Sequence, residues 1–387
     1  MAANPVQVKL KNKNTAAGGQ VVFYTAPTGP VLNELTLNLP TSGAPVSFFV
    51  SGKFGKPSTS NQDGAIEAIQ VNSSAILSTT PLMVRVRKNA NKLSAGEIQR
   101  FVAAMAQLNN AGVGPFVNFR EMHTAASNNQ MHGRSVFLLW HRAYLIDLEK
   151  ELQGLDASVT IPYWKFDAPA PNLFTKAFIG TSNAAGTVQF DLTNPLRFWK
   201  TDGVTGVLRQ PAFNTATQGA QNSSGPVNTE AATLNMGGPS NLFQQLRQME
   251  GDPHGHAHVC FNGYVSSIPT AARDPLFFLL HANVDRLWAK WQWIKNRYDS
   301  ALAATYSTAG SPNPAQDGIK LADTMWPWNG ITNTGGRPPT APGGTFPPSS
   351  VVAAPGLKPK VSQTIDFQGV NALAGNLGLS YDDVPFV

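Results

Sequence analysis

Over the first 86 residues the apolar positions come in short bursts, Gln20 to Tyr24, Leu35 to Leu39, Val46 to Val50, Ala65 to Val71 and Leu82 to Val86. Each is rich in Val, Phe or Thr and is cut off by Gly, Pro or Asn, the pattern of strands closed by turns. Such strands in succession predict a small antiparallel β-sandwich over residues 1–86. The period then changes. Ser94 and Glu97 have the spacing of a capping box, and Ile98, Phe101, Val102, Met105 and Leu108 follow at helical intervals. Phe137 to Leu152 reads as a second helix, with Phe137, Trp140, His141, Tyr144, Leu145 and Leu148 on neighbouring rows. A third is expected from Ser240 through Met249. A fourth runs from Pro275 to Tyr298, with Leu280, Val284, Leu287, Trp288 and Trp291 facing a core. Between them, Asp202 to Gly238 is rich in Thr, Asn, Gly and Ser and reads as a long loop. The expected fold is mainly α: a four-helix-bundle core within residues 87–309, preceded by the β-sandwich. A Pro/Gly-rich tail, residues 310–387 with PPTAPGGTFPP at its centre, packs on that core without one of its own.

Composition narrows the function classes. With 387 residues, 42% of them hydrophobic, the chain can bury a large core. The net charge of +6 is spread over only 13% charged residues, and the nearest approach to a basic run, Arg85, Arg87 and Lys88, reads as a solvated turn. No nucleic-acid partner is expected, and no apolar run is long enough for a membrane span. The opening MAANPVQVKL lacks the charged-then-apolar layout of a signal peptide, so a cytoplasmic chain is expected ahead of a processed secreted form. The single cysteine, Cys260, excludes an intramolecular disulfide and reads as a small buried residue. Two glycosylation sequons, at Asn72 and Asn222, carry little weight.

The histidines change the picture most. All 7 fall in two clusters, His123, His132 and His141, then His254, His256, His258 and His281. Three imidazoles from each cluster would hold a pair of metal ions. His254 and His258, one helical turn apart, can share an ion, and His281 arrives from the next helix. His141 lies inside a helix with His132 just before it, and His123 comes from the preceding segment. His256 faces another side of its helix and is expected beside the site or in solvent. Neutral imidazole suits copper, zinc, iron and nickel. A dinuclear hydrolase would want bridging carboxylates, and the clusters contain none.

Several segments together resemble the tyrosinase family of type-3 copper proteins: His132 through Trp140-His141-Arg142 and Tyr144-Leu145, Ile161-Pro162-Tyr163-Trp164, the His254/His258 pair, and Asp274-Pro275-Leu276-Phe277 through His281 to Trp288. The resemblance spans about Arg87 to Tyr298, with a fainter echo of a tail tyrosine motif in Gly378 to Asp382. It implies two copper ions, the first on His123, His132 and His141 and the second on His254, His258 and His281, with O2 as co-substrate. The implied activity is oxidation of o-diphenols such as catechols and L-DOPA to o-quinones, with o-hydroxylation of monophenols such as tyrosine, as in melanin-type pigment formation. Small phenols and O2 are the implied partners. Glu250 matches a glutamate that, in relatives, holds a water together with an Asn beside the first ligand of the second copper. Here Gly255 stands in that Asn position, which makes it the place where the activity is modulated. Many relatives carry a cysteine two residues before the second ligand of the first copper, bonded covalently to it. This chain has Gln130 there, and Leu280 where many relatives have a further histidine. Asp285 and Arg286 are expected to fix their helix by charge pairing. Phe261, Tyr264, Val265 and Ile268 are expected as a wall against which a phenol ring stacks. Fewer than ninety residues follow Tyr298, too few for the plug domain of some relatives, so an active form is expected. An oxygen carrier of the haemocyanin kind, with the same ligands but no access for phenols, is the alternative.

Overall fold

A computed structural model of the chain describes residues 5–333, 337–341 and 358–386, and the centre of the Pro/Gly-rich segment, from Pro342 on, lies outside the described residues. The chain divides into two compact units, Met1–Val86 with Ser380–Val387, and Arg87–Leu379.

The first unit is antiparallel. Strands β1 (Val6–Asn12), β2 (Val21–Tyr24), β3 (Glu34–Leu39), β4 (Phe49–Gly52), β5 (Gly64–Gln70) and β6 (Ile76–Leu82) form a four-stranded sheet in the order β3-β1-β5-β6 and a pair, β2-β4. Val8 and Leu10 of β1, Val21 and Phe23 of β2, Leu35 of β3 and Val84 make one buried cluster. Two expectations are corrected here. The opening segment VQVKLKN is the central strand β1, and the last strand is Ile76–Leu82, not Leu82–Val86. β6 pairs on one side only and is exposed along nearly its whole length, so it has no inward face for a period of two to reveal.

The second unit is helical at its core. Its helices are α1 (Ala95–Asn109), α2 (Phe116–Met122), α3 (Asn128–Met131), α4 (Phe137–Leu155), α5 (Glu230–Leu234), α6 (Phe243–Leu246), α7 (His256–Val259) and α8 (Leu276–Lys295). The Ser94/Glu97 capping box starts α1, Glu97 N–H donating to Ser94 Oγ at 3.3 Å and Ser94 N–H to Glu97 Oε2 at 3.0 Å. α8 stops at Asn296, whose left-handed φ of 48° closes its last turn. α4 packs against both α8 and α1. α4 and α8 are buried on almost every side, including charged residues that burial obliges to pair with one another. Between them runs a buried ion network: Arg87 pairs with Glu149 at 3.0 Å and Asp285 at 3.1 Å, and Arg142 with the other oxygen of Asp285 at 2.6 Å. Arg286 pairs with Glu230 at 2.6 Å.

The expected third helix is not one helix. Ser240 caps nothing. α6 is a single turn from Phe243, followed by a 3₁₀ turn at Arg247–Glu250, a π turn at Gly251–Gly255 and then α7. Pro253, which cannot continue a regular ladder, and the extended Asp252 (φ −141°, ψ 121°) break what periodicity alone reads as continuous. The expected long loop after Asp202 carries two short hairpins and α5. Among the described residues no helix is long and apolar enough to cross a membrane.

Candidate metal centre

Six histidines converge from six different places in the helical unit. His123 is the residue after α2, His132 the residue after α3, and His141 lies in the second turn of α4. His254 belongs to the π turn, His258 to α7 and His281 to α8. In each trio, one ring nitrogen from every member lies within 4.8 Å of the others. The trios abut: the His141 and His281 rings stack with centroids 4.2 Å apart and 14° between planes. Phe277 packs on His281 and His123 at 4.3 and 4.6 Å, and Phe137 on His141 and His254 at 4.7 Å each.

Backbone carbonyls decide which nitrogen faces inward. The Nδ1 of His123 meets Ile268 O at 3.2 Å, that of His141 meets Phe137 O at 2.8 Å, that of His254 meets Glu250 O at 2.8 Å, and that of His258 meets Val265 O at 2.6 Å. A carbonyl only accepts, so each of these Nδ1 atoms carries the proton and each Nε2 presents a lone pair. The Nε2 of His281 stands 3.3 Å from the Nε2 of both His254 and His258. Two of those three are lone pairs by the tautomer argument, and one proton on His281 could satisfy only one of them. The Nε2 atoms of His123 and His141 are buried with no hydrogen-bond partner among the described residues. Converging nitrogens of this kind suit a cation between them. Burial, the largest cause, pushes His132 down to about 3 and His258 to about 4, and holds the other four well below the usual imidazole range. All six are therefore neutral at neutral pH, the form in which imidazole binds a metal.

A cavity of about 260 Å³ opens against this cluster, lined by His123, His132, His254 and His258 together with Glu250, Gly255, Val259, Val265, Ser266, Ile268 and Ala271. Of the four expected wall residues, Val265 and Ile268 line it and Phe261 and Tyr264 do not. Phe261 is buried among Trp164, Phe174 and Phe213, with centroids 5.5–6.0 Å away. Tyr264 lies under the Arg273 guanidinium at 4.0 Å and accepts a hydrogen bond from it at 3.1 Å. Val259, Ser266 and Ala271 were not anticipated, and nothing in their residue types marks them. Nor does a residue name reveal a carbonyl's task, such as that of Ile268 toward His123.

Glu250 faces the cavity. Its carboxyl is pushed up to about 7 by burial, against the Gly133 N–H, which donates to Oε1 at 2.5 Å, and the Arg247 charge 3.5 Å from Oε2. Gly255 has helical φ and needs no glycine for its backbone; a Cβ there would lie 3.1 Å from the Glu250 carbonyl oxygen that anchors His254. His256 stands outside both trios, its Nε2 at 3.0 Å from Asn222 Oδ1. Cys260 is buried, its thiol pushed up to about 12 by that burial. Gln130 is buried as well.

Residues 113–294 match the family described as the common central domain of tyrosinase. The chain is 31% identical over 276 residues to a tyrosinase of Streptomyces antibioticus, an alignment covering 64% of this chain and 94% of that one. It is 30% identical over 270 residues to a tyrosinase of Streptomyces glaucescens, covering 63% and 92%. A functional unit of octopus hemocyanin superposes with a TM-score of 0.50 at 21% identity over 78% of this chain and 69% of that one, a likeness of fold. The chain belongs to the tyrosinase family of copper oxidoreductases, and its two histidine trios fit that family's pair of copper ions.

Proposed function

We propose that the chain oxidises o-diphenols, catechol and L-DOPA among them, to o-quinones with O2, and hydroxylates monophenols such as tyrosine more slowly. The supporting observation is the cavity, which places apolar side chains and one carboxyl directly against the imidazole cluster. Its volume of about 260 Å³ exceeds the roughly 150 Å³ in which a buried cavity holds benzene. Copper held by these histidines would supply one-electron redox chemistry, and the overall reaction balances as two catechols and one O2 giving two quinones and two waters.

What the protein's own residues contribute follows from the geometry. His123, His132 and His141 are assigned to the first ion and His254, His258 and His281 to the second, all within the segment 87–309. The carbonyl-held Nδ1–H groups fix the orientation of four rings, so that each would present its Nε2 to a bound ion. Val259, Val265 and Ile268 pack a phenol ring and exclude water from its faces. A free phenol, with a pKa near 10, must lose its proton before it binds a metal well. A carboxyl with a pKa of about 7, on the cavity wall, is matched to take that proton near neutral pH. Gly255 offers no side-chain amide to hold a water beside Glu250, which leaves the monophenol step under-equipped. Gly255→Asn should raise the ratio of monophenol to diphenol turnover several-fold, with Gly255→Ala as the control for crowding against the Glu250 carbonyl.

The test is to load the protein with copper and follow O2 consumption and quinone absorbance with catechol and with tyrosine. Quinone from catechol, and more slowly from tyrosine, is the expected result. O2 binding without quinone would make the chain a carrier, and the absence of both O2 binding and quinone would overturn the copper assignment.

A further inference from the structure

His132 is the least restrained of the six imidazoles. Its Nδ1 is buried with no hydrogen-bond partner among the described residues, and the nearest rings, those of His123, His141 and Phe137, stand at 5.1, 5.3 and 5.9 Å. His281 also lacks an Nδ1 partner, but it is fully buried within the long α8 and packed at 4.2 and 4.3 Å by His141 and Phe277. His132 instead follows α3, a single turn, and one turn of helix does not hold itself.

Something else must set the position of that loop. Gln316, distant in sequence and 5% exposed, reaches it from both sides: its Oε1 accepts from Arg134 Nε at 2.9 Å and its Nε2 donates to Asn129 O at 2.6 Å. These bonds bracket His132. The strap that carries Gln316 is itself fastened to α4, because Trp140 Nε1 donates to Trp326 O at 2.6 Å and Trp328 Nε1 to Asp147 Oδ2 at 3.2 Å. A side-chain amide suits the task, since it donates and accepts at once.

We infer that Gln316 is a positioning residue for the first copper, seating His132 by clamping the loop on either side of it. The inference rests on the assignment of the two trios to two copper ions. Partners that orient a metal ligand change metal affinity by roughly 10- to 100-fold when removed. Gln316→Met removes both hydrogen bonds at nearly constant volume. Gln316→Glu keeps the acceptor for Arg134 and loses the donor to Asn129.

The experiment follows copper per chain over time after a chelator is added to the loaded protein. The natural chain should hold two equivalents. Gln316→Met should release one of them about tenfold faster, with the other within about twofold of the natural rate. The slow equivalent should match the one that His132→Ala retains, and Gln316→Glu should fall between. Arg134→Met, which opens the clamp from its other end, should give the same fast phase and serves if Gln316→Met does not fold. Equal acceleration of both equivalents, or of neither, overturns the clamp while leaving the ligand assignment standing. A natural chain that never takes up two equivalents overturns the assignment itself, and the clamp with it.

Discussion

The two histidine trios have the same chemistry and different scaffolds. In each, two rings donate Nδ1–H to a backbone carbonyl and one does not. The second trio closes on His281, a residue of a buried twenty-residue helix whose Nε2 lies 3.3 Å from both partners. The first closes on His132, on a short loop tied down by a residue far along the chain. The lesson is that a metal centre can reuse one ligand set while drawing rigidity from a helix on one side and from tertiary hydrogen bonds on the other.

If His281 is the keystone of the better-supported trio, removing it should have the largest effect. His281→Ala is expected to bring catechol oxidation to background and to cost at least one copper per chain, measured by turnover and metal analysis. The rigidity of the α4–α8 pair can be probed through Asp285, which serves Arg87 and Arg142 together in a buried site. Asp285→Ala removes the buried carboxylate that Arg87 and Arg142 share and should cost about 3–5 kcal/mol, read from denaturant unfolding. Both sites would then lose their register, since His141 and His281 sit on the two helices the network joins.

Glu250 touches both halves: its carbonyl holds His254 and its carboxylate accepts from the Gly133 N–H, next to His132. Glu250→Gln keeps the shape and removes the carboxyl proposed as the base. Monophenol turnover should fall by about a hundredfold while catechol oxidation changes only a few-fold, since general-base catalysis is worth roughly 10²–10⁴. Equal losses on both substrates would show that Glu250 serves the scaffold alone.

The smallest effect concerns the α4 side. Asp147, buried in α4 and hydrogen-bonded by Trp328, has its carboxyl raised to about 8, chiefly by burial. The folded chain thus keeps a proton that the unfolded chain releases above about pH 4. Stability from this group is complete at low pH and is lost as pH rises toward 8, by at most about 1.4 kcal/mol per unit. Asp147→Asn should raise Tm at pH 8 by roughly 3 °C and flatten the slope between pH 5 and 8 in thermal melts.

The two histidine trios were legible in the sequence because histidine is scarce and falls in only two clusters. α1, α4 and α8 were legible through their apolar period and, for α1, its cap. The rest failed for identifiable reasons. β1 hid in VQVKLKN, whose alternation is real but stands at the very start of the chain. The turns around His254 hid because Pro253 and Asp252 interrupt a helix-like pattern without ending it. Phe261 and Tyr264 look like cavity wall, yet an aromatic ring in a core and one in a pocket have the same composition. Gln316 could not be found at all, since its partners, Arg134 and the carbonyl of Asn129, become neighbours only in the fold.

The most direct test of the convergence of six imidazoles on two ions is metal analysis of the copper-loaded chain beside its single-histidine variants. Two copper ions per natural chain are expected, with no change for His256→Ala and a loss of at least one ion for alanine at any of the other six positions. A natural chain that saturates at fewer than two, or a trio member whose removal leaves both ions in place, would contradict it.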